Sequence, residues 1–104
     1  MSEFVFLYTT FPEGEAAARV ARELVEARLA ACANIIPGMR SVYRYGDGVE
    51  EGQEVVVIFK LPAKVAEPAA ARLRARHPYE TPVVAFLRVE PDAATAAWLR
   101  EATG

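Results

Sequence analysis

The sequence predicts an α+β fold: a ferredoxin-like plait in which the elements follow the order β-α-β-β-α-β, with one more helix at the C-terminal end. Three observations lead to this prediction. Four short runs are rich in β-branched and aromatic residues, which is typical of strands. Two segments between them repeat apolar residues at helical spacing. A Gly-Asp-Gly turn joins the second and third runs, so these two strands are expected to form a hairpin.

Residues 1–104 are predicted to form a single domain, because a chain of 104 residues has room for only one core. A net charge of -2 argues against a nucleic-acid partner, which requires a basic surface. No apolar run approaches the roughly 20 residues that a membrane helix needs. The single cysteine excludes an intrachain disulfide, and the first residues lack the pattern of a secretory signal. A cytoplasmic protein without nucleic-acid or membrane partners is therefore expected.

The first strand is predicted at residues 4–10, a continuous aromatic and β-branched run that ends before Pro12. From Glu15 the pattern becomes helical, with charged residues on the opposite face. The apolar face of this helix is formed by Ala17, Val20, Ala21 and Leu24. An amphipathic helix that packs on the sheet is expected here.

Residues 32–45 predict a long second strand around which the rest of the chain is organised. The segment 32–36 is nearly all apolar and indicates burial on both faces, whereas the later residues alternate. Pro37 cannot donate to a strand ladder and Gly38 tolerates unusual backbone angles, so a bulge or bend is expected between the halves. The two halves of such a strand can pair in two regions of one sheet, or one half can pair within its own subunit and the other with a neighbouring subunit.

The third strand is predicted at residues 54–60, after the turn at 46–48. A second helix follows, and Pro68 leaves two alternatives for its start. The helix begins near Pro62 and is distorted at Pro68, or it begins near Glu67 with Pro68 in the first turn, where a missing N–H costs nothing.

A stiff two-proline connector, residues 77–82, leads into a fourth strand at residues 83–89. Pro91 ends that strand. Asp92 is placed as the N-cap of a last helix, from Ala93 to about Ala102.

Three stretches of the sequence together resemble the divalent cation tolerance (CutA) family. They are residues 28–38 (Arg-Leu-Ala-Ala-Cys-Ala-Asn-Ile-Ile-Pro-Gly), residues 41–45 with Gly46 and Glu54, and residues 77–82 (His-Pro-Tyr-Glu-Thr-Pro). The resemblance covers nearly the whole chain and implies a homotrimer built by strand exchange at the sheet edges, similar to the PII signal proteins. The long second strand agrees with the homotrimer that the resemblance implies, because its open end would otherwise be an unprotected edge.

The resemblance also implies a link to copper and other divalent metals. Some family members are associated with copper through a first-strand Cys and a His-His pair at the His-Pro-Tyr segment. This sequence has Tyr8 and Arg76 at two of those positions, so only His77 of the three ligands remains. Lys60-Leu61 likewise replaces the usual Lys-Thr at the end of the third strand.

The candidate site residues lie in the connector and the central strands. His77 and Glu80 are the candidate metal ligands, and the candidate ligand-binding residues are Lys60, Tyr79, Tyr43, Tyr45 and Glu54. The alternative for each is a structural role, in which the connector forms a rigid corner, the charged residues form ion pairs and the tyrosines pack between subunits. Cys32, in an apolar run, is expected to be structural.

The expected function is therefore that of a cytoplasmic homotrimer linked to copper tolerance or response. It would bind a divalent metal or small ligand weakly at clefts between subunits, with no cofactor required. The alternative is a PII-like signalling or scaffold trimer that binds a small anionic ligand or a partner protein. An enzyme is not expected, because one Cys and one His without an orienting third group make a poor nucleophile pair.

Overall fold

The computed structural model describes residues 3–104, and within them the elements follow the predicted order. The strands are β1 (Phe4–Phe11), β2 (Cys32–Tyr45), β3 (Gly48–Pro62) and β4 (Ala85–Val89). The helices are α1 (Gly14–Glu26), α2 (Ala66–Arg76) and α3 (Ala93–Thr103). The strands form one antiparallel sheet in the spatial order β2-β3-β1-β4. The predicted α+β plait with a C-terminal helix is confirmed in these elements.

The main core lies between one face of the sheet and helices α1 and α2. Leu7, Val57 and Phe59 face it from the strands, and Leu24 and Leu73 face it from the helices, all with 0% exposure. Burying a large apolar side chain contributes about 1.5–3 kcal/mol relative to leaving it in water. This face of the sheet is therefore buried against helices α1 and α2, and only the opposite face can contact other parts of the chain, a ligand or another subunit.

Helix α3 packs on that opposite face, over one end of the sheet. Ala96 and Leu99 contact Phe4, which alternates along β1 with the residues of the main core. The helix starts where the sequence predicts, because the Asp92 carboxylate accepts a hydrogen bond of 2.9 Å from the Thr95 N–H. The other end of this sheet face remains uncovered.

The β2–β3 hairpin is longer than the sequence predicts. Placing the start of the third strand at Glu54 was wrong, because β3 begins at Gly48 and pairs with β2 along the whole hairpin. Gly46, with φ of 60°, makes the tight turn. The polar segment before Glu54 extends the strand because backbone pairing does not require apolar side chains, and an Arg40–Glu51 ion pair of 2.8 Å bridges the strands there.

The bulge at Pro37 and Gly38 is confirmed, since the register of β2 on β3 shifts between Ile36 and Met39. Gly38 has φ of 81°, in the left-handed region that glycine tolerates. Burial of the first half of β2 on both faces is wrong for the single chain. Ile35 and Ile36 are 38% and 48% exposed, because β2 is an edge strand.

The second helix begins close to Glu67, which confirms the second of the two alternatives for Pro68. A single 3₁₀ turn, Ala63–Val65, follows β3, and α2 then begins at Ala66. Pro68 falls in the first helical turn, where its missing N–H removes no hydrogen bond.

Strand β4 begins at Ala85, two residues later than predicted. Its pairing with β1 stops at Tyr8, and the Thr10 carbonyl is instead bonded to the His77 ring. The connector therefore takes the place on β1 that a longer fourth strand would have used.

The distal half of the hairpin, residues 39–54, extends beyond the sheet. β1 ends at Phe11 opposite Val55, so the distal hairpin has no third strand beside it. Val42, Tyr45 and Val49 on this segment are 66%, 72% and 65% exposed. A two-stranded ribbon that exposes apolar side chains in this way is marginally stable in water without further packing.

Candidate functional site

A groove of about 1100 Å³ opens on the uncovered sheet face, at the base of the distal hairpin. We call it the hairpin groove. It is lined by strands β1, β2 and β3 and by the connector before β4, with Tyr8, Tyr43, Glu54, Tyr79 and Val83 among its walls. Its volume is slightly above the range of roughly 300–1,000 Å³ that is typical of small-molecule clefts. The groove is therefore a candidate ligand site.

The carboxylate of Glu54 accepts three hydrogen bonds in this groove. Its Oε1 accepts a hydrogen bond of 2.7 Å from the Ser41 hydroxyl. Its Oε2 accepts one of 3.1 Å from the Thr10 hydroxyl and one of 2.9 Å from the Tyr79 hydroxyl. One carboxylate thereby joins β1, β2, β3 and the connector, and it fixes where the Tyr79 ring stands.

The same contacts hold Glu54 in its charged form. Partial burial raises the pKa of the carboxyl, but the hydrogen bonds from Ser41, Tyr79 and Thr10 together lower the pKa below its usual value. Burial, followed by the hydrogen bond to Glu54, raises the pKa of Tyr79 to about 12. At neutral pH the pair is thus a carboxylate and a protonated phenol that donates to it.

His77 lies beneath the groove and anchors the connector. Its Nδ1 accepts a hydrogen bond of 3.0 Å from the Tyr79 backbone N–H, so in the neutral ring the proton is on Nε2. Nε2–H donates to the Thr10 carbonyl at 2.7 Å. The ring stacks on Phe11 with centroids 4.3 Å apart. Burial lowers the pKa of His77, although Thr10 and Glu54 partly offset this, so the ring is neutral at pH 7.

Of the seven candidate residues, four line the hairpin groove, His77 lies beneath it in contact with one of them, and two lie apart from it. Tyr43, Tyr45, Glu54 and Tyr79 line the hairpin groove. His77 contacts Tyr79 from below, with ring centroids 5.1 Å apart, and its two nitrogens are already hydrogen-bonded. Only Nδ1 has a lone pair, and a metal there would displace the Tyr79 N–H.

Glu80 and Lys60 lie outside the lining of the groove. Glu80 is exposed on the connector. Lys60 is near the far end of β3, about 20 Å along the strand from Glu54, and its ammonium is 5.4 Å from the centre of the Phe6 ring. Within residues 3–104 no cluster of three or more His, Cys, Asp or Glu could hold a metal ion.

Cys32 pairs across the sheet with Lys60, away from the groove, and is half-buried. Burial raises the pKa of its thiol, and the charge of Lys60 lowers it only in part. The thiol is therefore protonated near neutral pH, in agreement with the structural role that the sequence indicates.

Sequence reasoning missed Tyr8, Thr10 and Ser41 as residues of the groove. All three lie on the same sheet face as Glu54, because side chains alternate along each strand. The Ser-x-Tyr-x-Tyr alternation of residues 41–45 is the signal that places Ser41 with the two tyrosines. No local pattern indicates that Thr10 and Tyr8 meet them, since that depends on strand order.

Residues 5–102 match the family model described as "CutA1 divalent ion tolerance protein". The chain belongs to this CutA1 family. A curated relative, the divalent-cation tolerance protein CutA of Thermus thermophilus, is 41% identical over the full length of both chains. Protein CutA of Homo sapiens is 35% identical over 92% of this chain and 54% of its own length.

Solved CutA1 structures have the same fold. The protein from Ehrlichia chaffeensis superposes with a TM-score of 0.95 at 31% identity, covering 100% of this chain and 98% of that one. The Thermus thermophilus structure gives 0.92 at 38% identity and covers 97% and 99%. The likeness therefore extends over the whole CutA1 domain, including the long hairpin and the final helix.

Relatives within the CutA1 family carry different location names. The Arabidopsis thaliana relative, named chloroplastic, is 35% identical over 82% of this chain, which spans 47% of that protein. The Archaeoglobus fulgidus structure is titled as periplasmic, with a TM-score of 0.93. Among the helices of residues 3–104, none is long and apolar enough to cross a membrane.

Proposed function

We propose that this CutA1 family member is a cytoplasmic homotrimer, similar in architecture to PII proteins, that takes part in tolerance of copper and other divalent metals. It binds metal weakly at clefts between subunits, with His77 and Glu80 as ligands and with Tyr79, Tyr43, Tyr45 and Glu54 around them. Lys60 is about 20 Å from Glu54 along β3 of the same chain, so it reaches such a cleft from a neighbouring subunit. It needs no resident cofactor, catalyses no reaction, and has neither nucleic acid nor membranes as partners. Family membership supports the link to divalent metals.

The observation that carries this proposal is the meeting of Glu54, Tyr79 and His77 beside an unprotected hairpin. Oxygen donors and one imidazole are ligands that divalent metals accept. One chain offers too few of them for a tight site among its described residues. A neighbouring subunit that packs against the exposed hairpin would supply the remaining contacts, so a weak site shared between subunits fits the chemistry.

The trimer has a direct test. Light scattering of the wild-type protein at micromolar concentration is expected to give the mass of three 11.4 kDa chains, about 34 kDa. Replacing exposed hairpin residues with charges, as in Val42→Asp with Val49→Asp, is expected to lower that mass. Packing of the hairpin against a neighbouring subunit would remove these carboxylates from water, which costs free energy. Ala71→Asp, on the exposed side of α2, is the matched control and leaves the mass unchanged. A wild-type monomer would contradict the proposal.

Copper binding is tested by calorimetric titration of the wild type and of His77→Ala. We expect weak binding in the wild type and a weaker or absent signal in the variant, because His77 supplies the one imidazole. Circular dichroism and light scattering on the same samples establish that the variant is folded and assembled. Equal binding by both proteins would remove His77 as a ligand and leave the connector as a structural corner.

The second candidate function is a PII-like signalling or scaffold trimer that binds a small anion or a partner protein. It is favoured by Lys60, which is half-buried and forms no ion pair with any described carboxylate. An unpaired cation in such a position is a suitable anion contact. Binding of a nucleotide that is lost in Lys60→Met, without any copper binding, would favour this alternative.

A further inference from the structure

Three hydroxyl groups of the hairpin groove donate their protons to the same carboxylate. Ser41, Thr10 and Tyr79 each direct a hydroxyl toward Glu54. An ionised carboxylate only accepts hydrogen bonds, so each of these hydroxyls must be the donor. A hydroxyl has a single proton, and the lone pairs are therefore all that these three groups can offer to a ligand.

Tyr8 extends the same pattern along β1. Its hydroxyl donates to the Met39 sulfur at 3.9 Å, so it too presents lone pairs to the groove. Glu54 has about four acceptor positions, of which the three hydroxyls occupy three. Glu54 and these four hydroxyls form the floor of the groove, and they offer hydrogen-bond acceptors but no free hydroxyl proton. The hydroxyls of Tyr43, Tyr45 and Thr81 belong to more exposed side chains of the lining.

The charge at the floor has one sign. Glu54 is partly shielded from solvent and ionised, whereas the two cations of the groove lining, Arg40 and Arg44, are on the exposed distal hairpin, where they alternate along β2 with Ser41 and Tyr43. Arg40 is engaged by Glu51 at 2.8 Å. Arg44 is exposed on the same strand. A ligand that reaches the floor therefore meets a negative charge, acceptor oxygens and the rings of Tyr8 and Tyr79.

We propose that the hairpin groove binds a small organic amine in its ammonium form, with the ammonium on Glu54 and its hydrocarbon part along the tyrosine rings. An ammonium has three donors and no acceptor, which is the complement of this floor. Aromatic rings attract such cations and also cover apolar chains. A small anion would be repelled by the Glu54 carboxylate, and the described residues of one chain offer a metal ion no cluster of three or more His, Cys, Asp or Glu, so an ammonium is the ligand that the floor of a single chain fits without a contribution from a neighbour.

This inference rests on the proposed function in one respect, the use of the hairpin groove as a ligand site. Its test is a calorimetric titration of the assembled wild-type protein with hexylamine, hexan-1-ol and hexanoate near neutral pH. Hexylamine is expected to bind about tenfold more tightly than hexan-1-ol, since a charge-assisted hydrogen bond is involved. Hexanoate is expected not to bind. Equal binding of hexylamine and hexan-1-ol, or tighter binding of hexanoate, would overturn the proposal.

Two variants test whether hexylamine binds at the floor of the hairpin groove. Glu54→Gln keeps the size of the side chain but removes its charge, and Tyr79→Phe keeps the ring but removes an acceptor. We expect each to weaken the binding of hexylamine about tenfold. Glu90→Gln, which neutralises an exposed carboxylate outside the groove lining, is the matched control and leaves the affinity unchanged. If Glu54→Gln does not fold, Tyr79→Phe decides. Unchanged affinity in Tyr79→Phe and in any folded Glu54→Gln sample would overturn the proposal.

The amine test and the copper test can fail separately. Copper binding by the trimer without hexylamine binding would overturn the amine inference and leave the proposed function standing. Hexylamine binding that depends on Glu54, in a protein that does not bind copper, would reject the metal site and support the amine inference. A lysine-containing tetrapeptide that binds more tightly than hexylamine would overturn the assignment to a free amine and indicate a protein partner.

Discussion

His77→Ala is expected to lower the free energy of unfolding by about 2–4 kcal/mol. The substitution leaves two backbone groups without their partners, the Thr10 carbonyl and the Tyr79 N–H. A buried polar group that loses its hydrogen bond costs about 1–3 kcal/mol. Loss of the ring stacked on Phe11 adds about 0.5–1.5 kcal/mol. These costs are only partly additive, because water can enter the space that the ring leaves.

Urea denaturation at one fixed protein concentration measures this effect, since the stability of an oligomer depends on concentration. Glu80→Ala, on the exposed part of the same connector, is the matched control and is expected to change stability by less than about 0.5 kcal/mol. A His77→Ala protein as stable as Glu80→Ala would mean that the connector is held by other contacts.

Stability is also expected to fall as the solution is acidified below about pH 6.5. The pKa of His77 is lower in the folded protein than its usual 6.5, chiefly because the ring is buried. Between the two pKa values the unfolded chain binds a proton that the folded chain does not, so lowering the pH favours unfolding. One such proton gives a slope of up to about 1.4 kcal/mol per pH unit. The loss is complete once the pH is below the folded pKa.

The neighbours of His77 titrate outside this window. The pKa of Glu54 is below its usual 4.5, so its contribution is lost only at lower pH, and Tyr79 titrates at about 12. His77→Gln is therefore expected to remove most of the slope between pH 6.5 and the carboxylate range. Denaturation midpoints measured across this range provide the test. A wild-type slope that persists unchanged in His77→Gln would assign the effect to another group.

The order of the elements and several local details could be predicted from the sequence. The bulge follows from Pro37, which has no N–H, and from Gly38, which tolerates a positive φ. The cap of α3 follows from the side chain of Asp92. Each of these features depends only on a few residues that are neighbours in the chain, so the sequence is enough to predict it.

The extent of pairing could not be predicted in the same way. The third strand begins before Glu54 because the facing strand is present to pair with it, and backbone groups pair whatever side chains they carry. Strand β4 begins late because the His77 ring has taken the Thr10 carbonyl. Ile35 is exposed because its strand is at the edge of the sheet, which a run of apolar letters does not reveal.

For the site, the sequence by itself determined which residues are near one another in the chain, and so it indicated Tyr43, Tyr45 and the connector around Tyr79. Only the tertiary structure decided that Glu54 receives hydroxyls from β1, β2 and the connector, and that Lys60 is far from it. Hydrogen bonds reach about 3 Å, whereas residues 10, 41, 54 and 79 are separated by long stretches of chain. Their meeting depends on the strand order and register of the whole sheet, which no local segment specifies.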